Sequence, residues 1–491
     1  MEDKKFSLKK GLGSGEDATK RRVDKKAASV KIKRRDALEG KRKPSETVEP
    51  VSDIASYIRS INYDEFMTSP APLGPLTKLV NLLKSTKQSE PYYGPCVQLY
   101  PEHIHGPFLF SDDKTIARIV YLASLPNPEV SRLAVQCMVY IAGHDQRVVW
   151  VKKLVHLGAL PVLFGSPHRM HAFRALENMC TDNPETRDLI LDKGIVPIVC
   201  ACGPELWESA AFFFVSLFKH GDALPAFSKV AQLWDLMVNR VLFEHFSNGR
   251  IDHHPHMAIS IMHTVNLVTR YNAAYHKELV GNARLMDRIK SWCSPDVGCD
   301  LIVNVCAQIL CTLTENELVH PYLDASIYTQ LLMYPDAGVR IQAALSFENI
   351  ASNPLFLRSI CSEPVMNALR MQSGNAGIVE VNTHVYMAIC VAVLTAEEVD
   401  QQDATYPHLL KLVDRLCMGL IKMETHVNVV AKILEAIRAF VRWDAERTKV
   451  ALEDGSGLEQ IERMAYHLNP IIQYPSETIM NLLDGMMEIM D

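Results

Sequence analysis

A short pattern of residues recurs in this chain after 36 positions, and this repetition restricts the fold more than any other feature of the sequence. Leu157-Gly158-Ala159-Leu160-Pro161 has the same spacing of glycine, apolar residues and proline as Lys193-Gly194-Ile195-Val196-Pro197. A helical pattern precedes each copy, and each glycine stands where a left-handed residue usually ends a helix. A repeat period near 40 residues is typical of helical solenoids, in which each unit stacks on the next. The sequence therefore predicts an all-α protein.

The stretch from 172 to 198 contains one such unit and the start of the next. Thr181-Asp182-Asn183-Pro184 ends a first helix at Cys180, because proline cannot continue a helix and Asp and Asn favour caps and turns. A second helix is predicted from Glu185 to Asp192, with Leu189, Ile190 and Leu191 turned inward, and a third helix starts after Gly194.

This stretch resembles a repeat of the importin alpha family, which reads GDxPExRDLxLDxGxxPxL over positions equivalent to 181–197. The family helix before it reads AxWALxNIA, and here that helix keeps Asn178 but has Arg174 at the Trp position. Residues 455–486 are similar to the family's closing repeat, with matches at Gly457-Leu458-Glu459-Gln460-Ile461-Glu462, His467, Asn469, Ile472 and Tyr474. The resemblance implies an armadillo-repeat, right-handed superhelical solenoid of about ten repeats over residues 73–491. A linker (44–72) and a disordered basic arm (1–43) would precede it.

The charge of the chain is distributed unevenly. Residues 1–43 hold 16 Lys and Arg and 7 Asp and Glu, a net charge of +9 in a chain whose total is −6, so the remainder carries −15. Lys25 to Glu39 can form a helix that would fold on an acidic partner, although a solvated tail or a nucleic-acid-binding arm fits the same residues.

The arm also resembles the importin-beta-binding segment of importin alpha, which implies importin beta as its partner. The matching residues are Lys20, Arg21, Arg22, Val30, Lys33, Arg34, Arg35, Asp36, Leu38, Lys41, Arg42 and Lys43.

In importin alpha, Trp-x-x-x-Asn pairs on the third helices bind cargo: the Asn amides hold an extended backbone and the Trp rings stack on Lys and Arg stems. The Asn positions here hold Tyr140, Asn178, Ser216, Asn266, Thr312, Asn349, Val391 and Ala436. The Trp positions hold Gln136, Arg174, Phe212, Met262, Leu345 and Met387. The acid that grips one cargo lysine aligns with Asp182. The resemblance therefore implies a cargo groove formed by Asn178, Asp182, Asn266, Asn349, Arg174, Phe212, Gln136 and Ser216.

Each of these residues also has a purely structural interpretation. Asn178 and Asn349 could be caps or packing amides, and Asp182 could be a turn residue. Phe212-Phe213-Phe214 is expected to lie mostly in the core, because successive helical residues point in different directions. Since Arg174 puts a cation where a cargo cation should bind, we expect weakened or altered recognition of ordinary basic signals.

Other classes of site and location are disfavoured by the sequence. We find neither a phosphate-binding glycine loop nor a nucleophile elbow, so we expect no enzymatic activity and no cofactor. His253-His254-Pro255-His256, in an insert from 242 to 256, is expected to be an exposed loop and not a metal site. The twelve cysteines form no CxxC pair, and we expect mostly buried, reduced thiols in a cytosolic or nuclear protein. No apolar run of 18 residues and no signal peptide are visible, so no membrane association is expected.

Together these features predict a nuclear import adaptor, shuttling between cytoplasm and nucleus. It would bind cargo signals in the groove and importin beta through the arm, with Lys41-Arg42-Lys43 folding back into the groove when the arm is free. The exporter of importin alpha would bind the C-terminal repeats. The alternative is an armadillo scaffold that no longer carries ordinary basic cargo. Direct nucleic-acid binding is less favoured because the body is acidic.

Overall fold

A computed structural model describes residues 60–88, 113–143, 147–181, 183–247, 251, 254–273, 275–374, 378–398 and 407–490. The basic arm with its predicted helix, the candidate Asp182 and the histidine His253 lie outside the described residues. The chain forms two compact units, Met1–Asn62 with Asn81–Gly106 and Tyr63–Val80 with Pro107–Asp491. Most described residues belong to the second unit.

The regular structure of the described residues is helical, with no strand among them. The α-helices are α1 (Tyr63–Thr68), α2 (Leu73–Gln88), α3 (Asp113–Ala123), α4 (Pro128–Ala142), α5 (Arg147–His156), α6 (Ala159–Gly165), α7 (Arg169–Cys180), α8 (Pro184–Asp192), α9 (Ile195–Cys200), α10 (Trp207–Leu217), α11 (Phe227–Trp234), α12 (Leu242–Glu244), α13 (Pro255–Tyr271), α14 (Tyr275–Gly281), α15 (Ala283–Ser291), α16 (Asp300–Thr314), α17 (Ala325–Leu332), α18 (Ala337–Ala351), α19 (Leu357–Ile360), α20 (Glu363–Gly374), α21 (Val379–Glu398), α22 (Val413–Lys422), α23 (Val427–Trp443), α24 (Ala445–Asp454), α25 (Gly457–Ala465) and α26 (Pro470–Met490). A π-helix spans Asp235–Val241, and 3-10 helices span Pro204–Leu206, Gly221–Ala223, Pro295–Val297, Glu317–Tyr322, Pro354–Phe356 and Leu410–Leu412.

Nine of these helices pack in series, and each contacts the next member of the series, although shorter helices lie between them in the chain. This row, as we call it, consists of α4, α7, α10, α13, α16, α18, α21, α23 and α26. The eight positions that align with the family's Asn fall one in each of the first eight row helices, from Tyr140 in α4 to Ala436 in α23. The interval between repeats read from the sequence is therefore also the interval between neighbouring helices.

A second set of helices covers part of one side of the row. Helices α17, α20, α22 and α25 also contact each other in series, and each packs on the row helix that follows it in the chain. The core lies between the two sets and includes fully buried Phe347 and Phe440. Half-buried and exposed side chains of the row helices are therefore candidates for ligand contacts.

The turn into α8 agrees closely with the sequence-based prediction. Asn183 caps the helix, because its Oδ1 accepts hydrogen bonds from the backbone N–H groups of Glu185 (3.0 Å) and Thr186 (3.2 Å). Pro184 occupies the first helical position, where its missing N–H costs nothing. Gly158 and Gly194 have left-handed backbones with φ of 84° and 82°. The two copies of the sequence pattern thus have the same backbone conformation.

The prediction that three leucine and isoleucine residues of α8 all turn inward is wrong for one of them. Ile190 and Leu191 are buried, but Leu189 is 37% exposed. Three successive residues of a helix point in three directions, so they cannot all face the same core.

The range assigned to a linker, 44–72, contains a folded segment. Helix α1 buries Phe66 completely. The guanidinium of Arg118 on α3 donates hydrogen bonds to the backbone carbonyls of Phe66, at 3.0 Å, and of Ser69. The sequence pattern did not reveal this helix, because it has six residues and only one of them is buried.

The insert predicted to be an exposed loop is partly helical. The π-helix and α12 continue α11 as far as Glu244, and Pro255 begins α13. The rings of His245 and His254 lie 4.8 Å apart, centroid to centroid. No group of three or more possible metal ligands occurs among the described residues.

One described helix, α21, is long and apolar enough to cross a membrane, with a mean hydropathy of 1.5. However, 61% of that window is buried inside the protein, as α21 lies in the row between α18 and α23. A core helix passes the same test of length and composition, so this is weak evidence for a membrane span.

The described cysteines are all free, and eight of the eleven are buried. Burial raises the pKa of the Cys137, Cys180 and Cys390 thiols. The prediction of mostly buried thiols is confirmed for this part of the chain.

We expect Gly194→Ala to lower the free energy of unfolding by about 1–2 kcal/mol, because a Cβ disfavours the left-handed conformation although no atom lies within 4 Å of its place. Gly165→Ala is the matched control, since that glycine also has open space but no positive φ. Urea unfolding followed by circular dichroism would measure both. Equal midpoints for the two variants would contradict the assigned conformation.

Candidate ligand-binding face

The best-defined candidate site lies on helix α7. His171, Arg174, Asn178 and Thr181 occur at intervals of three and four residues, so they share one side of the helix. Arg174 is exposed and the other three are half-buried. We call these four residues the α7 stripe.

The neighbouring helices hold the α7 stripe on both sides. Nε2 of Gln136, on α4, lies 3.1 Å from Nε2 of His171. The Nδ2 of Asn178 donates a 2.8 Å hydrogen bond to the backbone carbonyl of Val139, also on α4. On the other flank, Lys219 Nζ donates to Thr181 Oγ1 at 3.1 Å.

The contact of Asn178 combines a structural role with a possible binding role. Its amide nitrogen packs against α4, as the structural interpretation predicts. Its Oδ1 accepts no hydrogen bond from any described residue and is still able to accept one from a ligand's backbone N–H. The side chain is therefore held in place with one acceptor available.

Side-chain amides also link other neighbours in the row. Asn349 Nδ2 donates to Thr314 Oγ1 at 2.9 Å, from α18 to α16. Asn266 Nδ2 donates to Gln308 Oε1 at 2.9 Å, from α13 to α16, and Gln308 Nε2 donates to Asn304 Oδ1 at 2.7 Å. Because only 4% of Asn266 is exposed, its main role is to join these helices. Asn349 is half-buried, as Asn178 is.

Other predicted groove positions do not reach the surface. Ser216 is fully buried and its hydroxyl donates to the carbonyl of Phe213 at 2.6 Å. Met262, at a Trp position, is also fully buried. Ser216 is therefore not part of the candidate site. Phe212 is half-buried, whereas Phe213 and Phe214 are fully buried, so the expectation that this triplet lies mostly in the core is confirmed.

Acidic side chains of the later row helices already have partners within the protein. Glu348 of α18 lies 2.6 Å from His384 of α21, and Glu397 of α21 lies 2.7 Å from Arg442 of α23. On α23, Glu435 lies 2.6 Å from Lys432. Three of the acids that could have gripped a basic ligand already have partners. Sequence reasoning missed the two pairs between helices, because their members lie 36 and 45 residues apart.

The α7 stripe, in contrast, has a positive electrostatic character. Arg174 makes no ion pair or hydrogen bond with any described residue. The pKa of His171 is lowered to about 4, chiefly by burial and then by the positive charges of Arg174, Arg132 and His168. His171 is thus neutral near pH 7, and the charge of this surface comes from arginine.

Comparisons with known proteins are informative only about the fold. No family model matches the chain, and no curated protein matches it. A crystal structure described as an engineered protein is similar to it over 88% of this chain and 99% of the other, with a TM-score of 0.61 and 15% sequence identity. At that identity the similarity concerns the fold alone.

We expect His171 to make the protein less stable as the pH falls from about 6.5 to about 4. Its native pKa is depressed, so in this window the unfolded chain binds a proton that the native protein does not. His171→Gln should reduce the fall in melting temperature over that window, whereas His156→Gln, at an exposed histidine, should not. Parallel slopes for all three proteins would contradict the depressed pKa.

Proposed function

We propose that this chain is an armadillo-type solenoid that acts as an adaptor for nuclear import. The row helices would line a groove for an extended cargo segment, and the basic arm would bind importin beta. The exporter of importin alpha would bind near the C-terminal repeats, and the protein would move between cytoplasm and nucleus.

One observation carries the proposal: the segment that most resembles importin alpha, 172–198, overlaps the α7 stripe. Asn178, the Asn that this segment keeps, is held by α4 with its Oδ1 available. The serial order of the row supports the proposal, since a ligand that crosses successive helices would meet a similar position on each one. The paired side-chain amides at α13, α16 and α18 fit a surface of this type.

The same residues argue for altered cargo recognition. Arg174 would repel a cargo cation, and each missing aromatic wall would remove about 0.5–2 kcal/mol of binding free energy. The contacts of Glu348, Glu397 and Glu435 with their present partners would also have to break before these acids could bind a cargo lysine.

Arg174 is exposed and has no partner among the described residues, and this also favours the second candidate function, a scaffold that binds partners other than ordinary basic signals. The two functions differ in their need for importin beta. A scaffold would have no use for the arm as an importin-beta ligand.

We expect the full chain to bind importin beta in a pull-down, and residues 45–491 not to bind it, because the matching basic residues lie in the arm. Exchanging Lys33, Arg34 and Arg35 for Ser in the full chain should have the same effect. Binding of residues 45–491 as strong as that of the full chain would contradict the role of the arm. No binding by either would favour the scaffold.

We also expect Arg174→Trp to strengthen binding of a lysine-rich signal peptide to residues 45–491 by about tenfold, since it replaces a repelling charge with a stacking wall. Arg358→Trp is the control, because Arg358 is exposed on α19, outside the row. Fluorescence anisotropy would measure both. A decrease in affinity caused by Arg174→Trp would contradict the assigned position of this residue in the groove.

A further inference from the structure

We propose that the α7 stripe binds an extended peptide and that Arg174 selects an acidic side chain of this peptide. This inference rests on the proposed function, because it takes the row to be a peptide-binding surface. At this one position the expected ligand side chain is acidic, where an ordinary cargo signal has a basic one.

The Arg174 side chain is exposed, and no described residue forms an ion pair or a hydrogen bond with it. Many charged side chains of the later row helices have partners, such as Arg442 with Glu397 at 2.7 Å. Arg174 therefore carries a permanent positive charge, and no described residue occupies its five N–H donors.

The surroundings of Arg174 add to its positive charge. Arg132 on α4 lies close enough to affect the pKa of His171 in the same direction as Arg174 does. Its Nη1 donates to the neutral amide of Gln136, at 3.3 Å from Oε1, and no described acid forms an ion pair with it. The acidic side chain nearest in sequence, Glu177, is half-buried and makes no ion pair with Arg174. A carboxylate placed beside Arg174 would be attracted by this positive charge, and a cation would be repelled.

Asn178 indicates the class of ligand. It lies one helical turn beyond Arg174, and its Oδ1 accepts no hydrogen bond from the described part of the chain, which suits a peptide N–H. A carboxylate at Arg174 and a backbone N–H at Asn178 can come from one extended peptide. A nucleic acid offers phosphates for Arg174, but the charge of −15 outside residues 1–43 would repel a polyanion. We therefore assign the site to a peptide.

The test uses the full chain and three fluorescein-labelled peptides of twelve residues. Each has a Gly-Ser-Asn background and three central residues, which are all Glu, all Gln or all Lys. Anisotropy should show that the wild type binds the Glu peptide about threefold to tenfold more tightly than the Gln peptide, and the Lys peptide most weakly. Arg174→Gln should reduce this preference for the Glu peptide, and Arg174→Glu should reduce it further.

The basic arm could attract the Glu peptide in every variant, so the comparison needs a control of equal charge. Arg358→Glu changes the net charge by the same amount at an exposed arginine without a described partner. It should keep the order of the wild type. Equal effects of Arg174→Glu and Arg358→Glu would overturn the inference.

Two further outcomes separate this inference from the proposed function. If the Lys peptide binds most tightly and Arg174→Glu does not change the order, the inference fails while peptide binding stands. If none of the three peptides binds, both fail. A single-stranded oligonucleotide of twelve thymidines is tested in parallel. If Arg174→Glu weakens its binding and leaves peptide binding unchanged, the site belongs to a nucleic acid and the inference is overturned.

Discussion

Burial of each inner row helix between two row neighbours is the constraint on which the other features depend. A helix packed on both flanks has room for polar side chains only along a narrow strip, and polar groups near its edges need partners. Asn178, Asn349 and Asn266 meet this need by donating hydrogen bonds to adjacent helices. The same contacts fix the orientation of the side chains that remain available.

The amides explain how one residue can have both a structural and a binding role. Because the Asn amide has both donors and an acceptor, Asn178 can join α7 to α4 through its Nδ2 while no described residue uses its Oδ1. Arg174 cannot combine donor and acceptor roles in this way, because all the polar atoms of its side chain are donors. Whether the α7 stripe favours an anion or a cation therefore depends on Arg174, the residue one helical turn before Asn178.

The sequence predicted local features well, because helices and caps depend on neighbours in the chain. The cap at Asn183 and the left-handed Gly194 are of this kind. The candidate site was predictable only in part. Position within a repeat placed Asn178 on a row helix, but the burial of Ser216 depends on how far α10 is rotated about its axis. The partner of Glu348 comes from another row helix, 36 residues away, and a single sequence carries no signal for such a pair.

The serial order of the row has a mechanical consequence. Helix α26 has one row neighbour, α23, among the described residues, and it exposes 57% of Ile471 and 63% of Tyr474. A force applied at Met490 would therefore load the contact between α26 and α23 before any other contact of the row. The row would lengthen by detaching one helix at a time from that end. Its resistance to extension would be spread over many small steps instead of one large rupture.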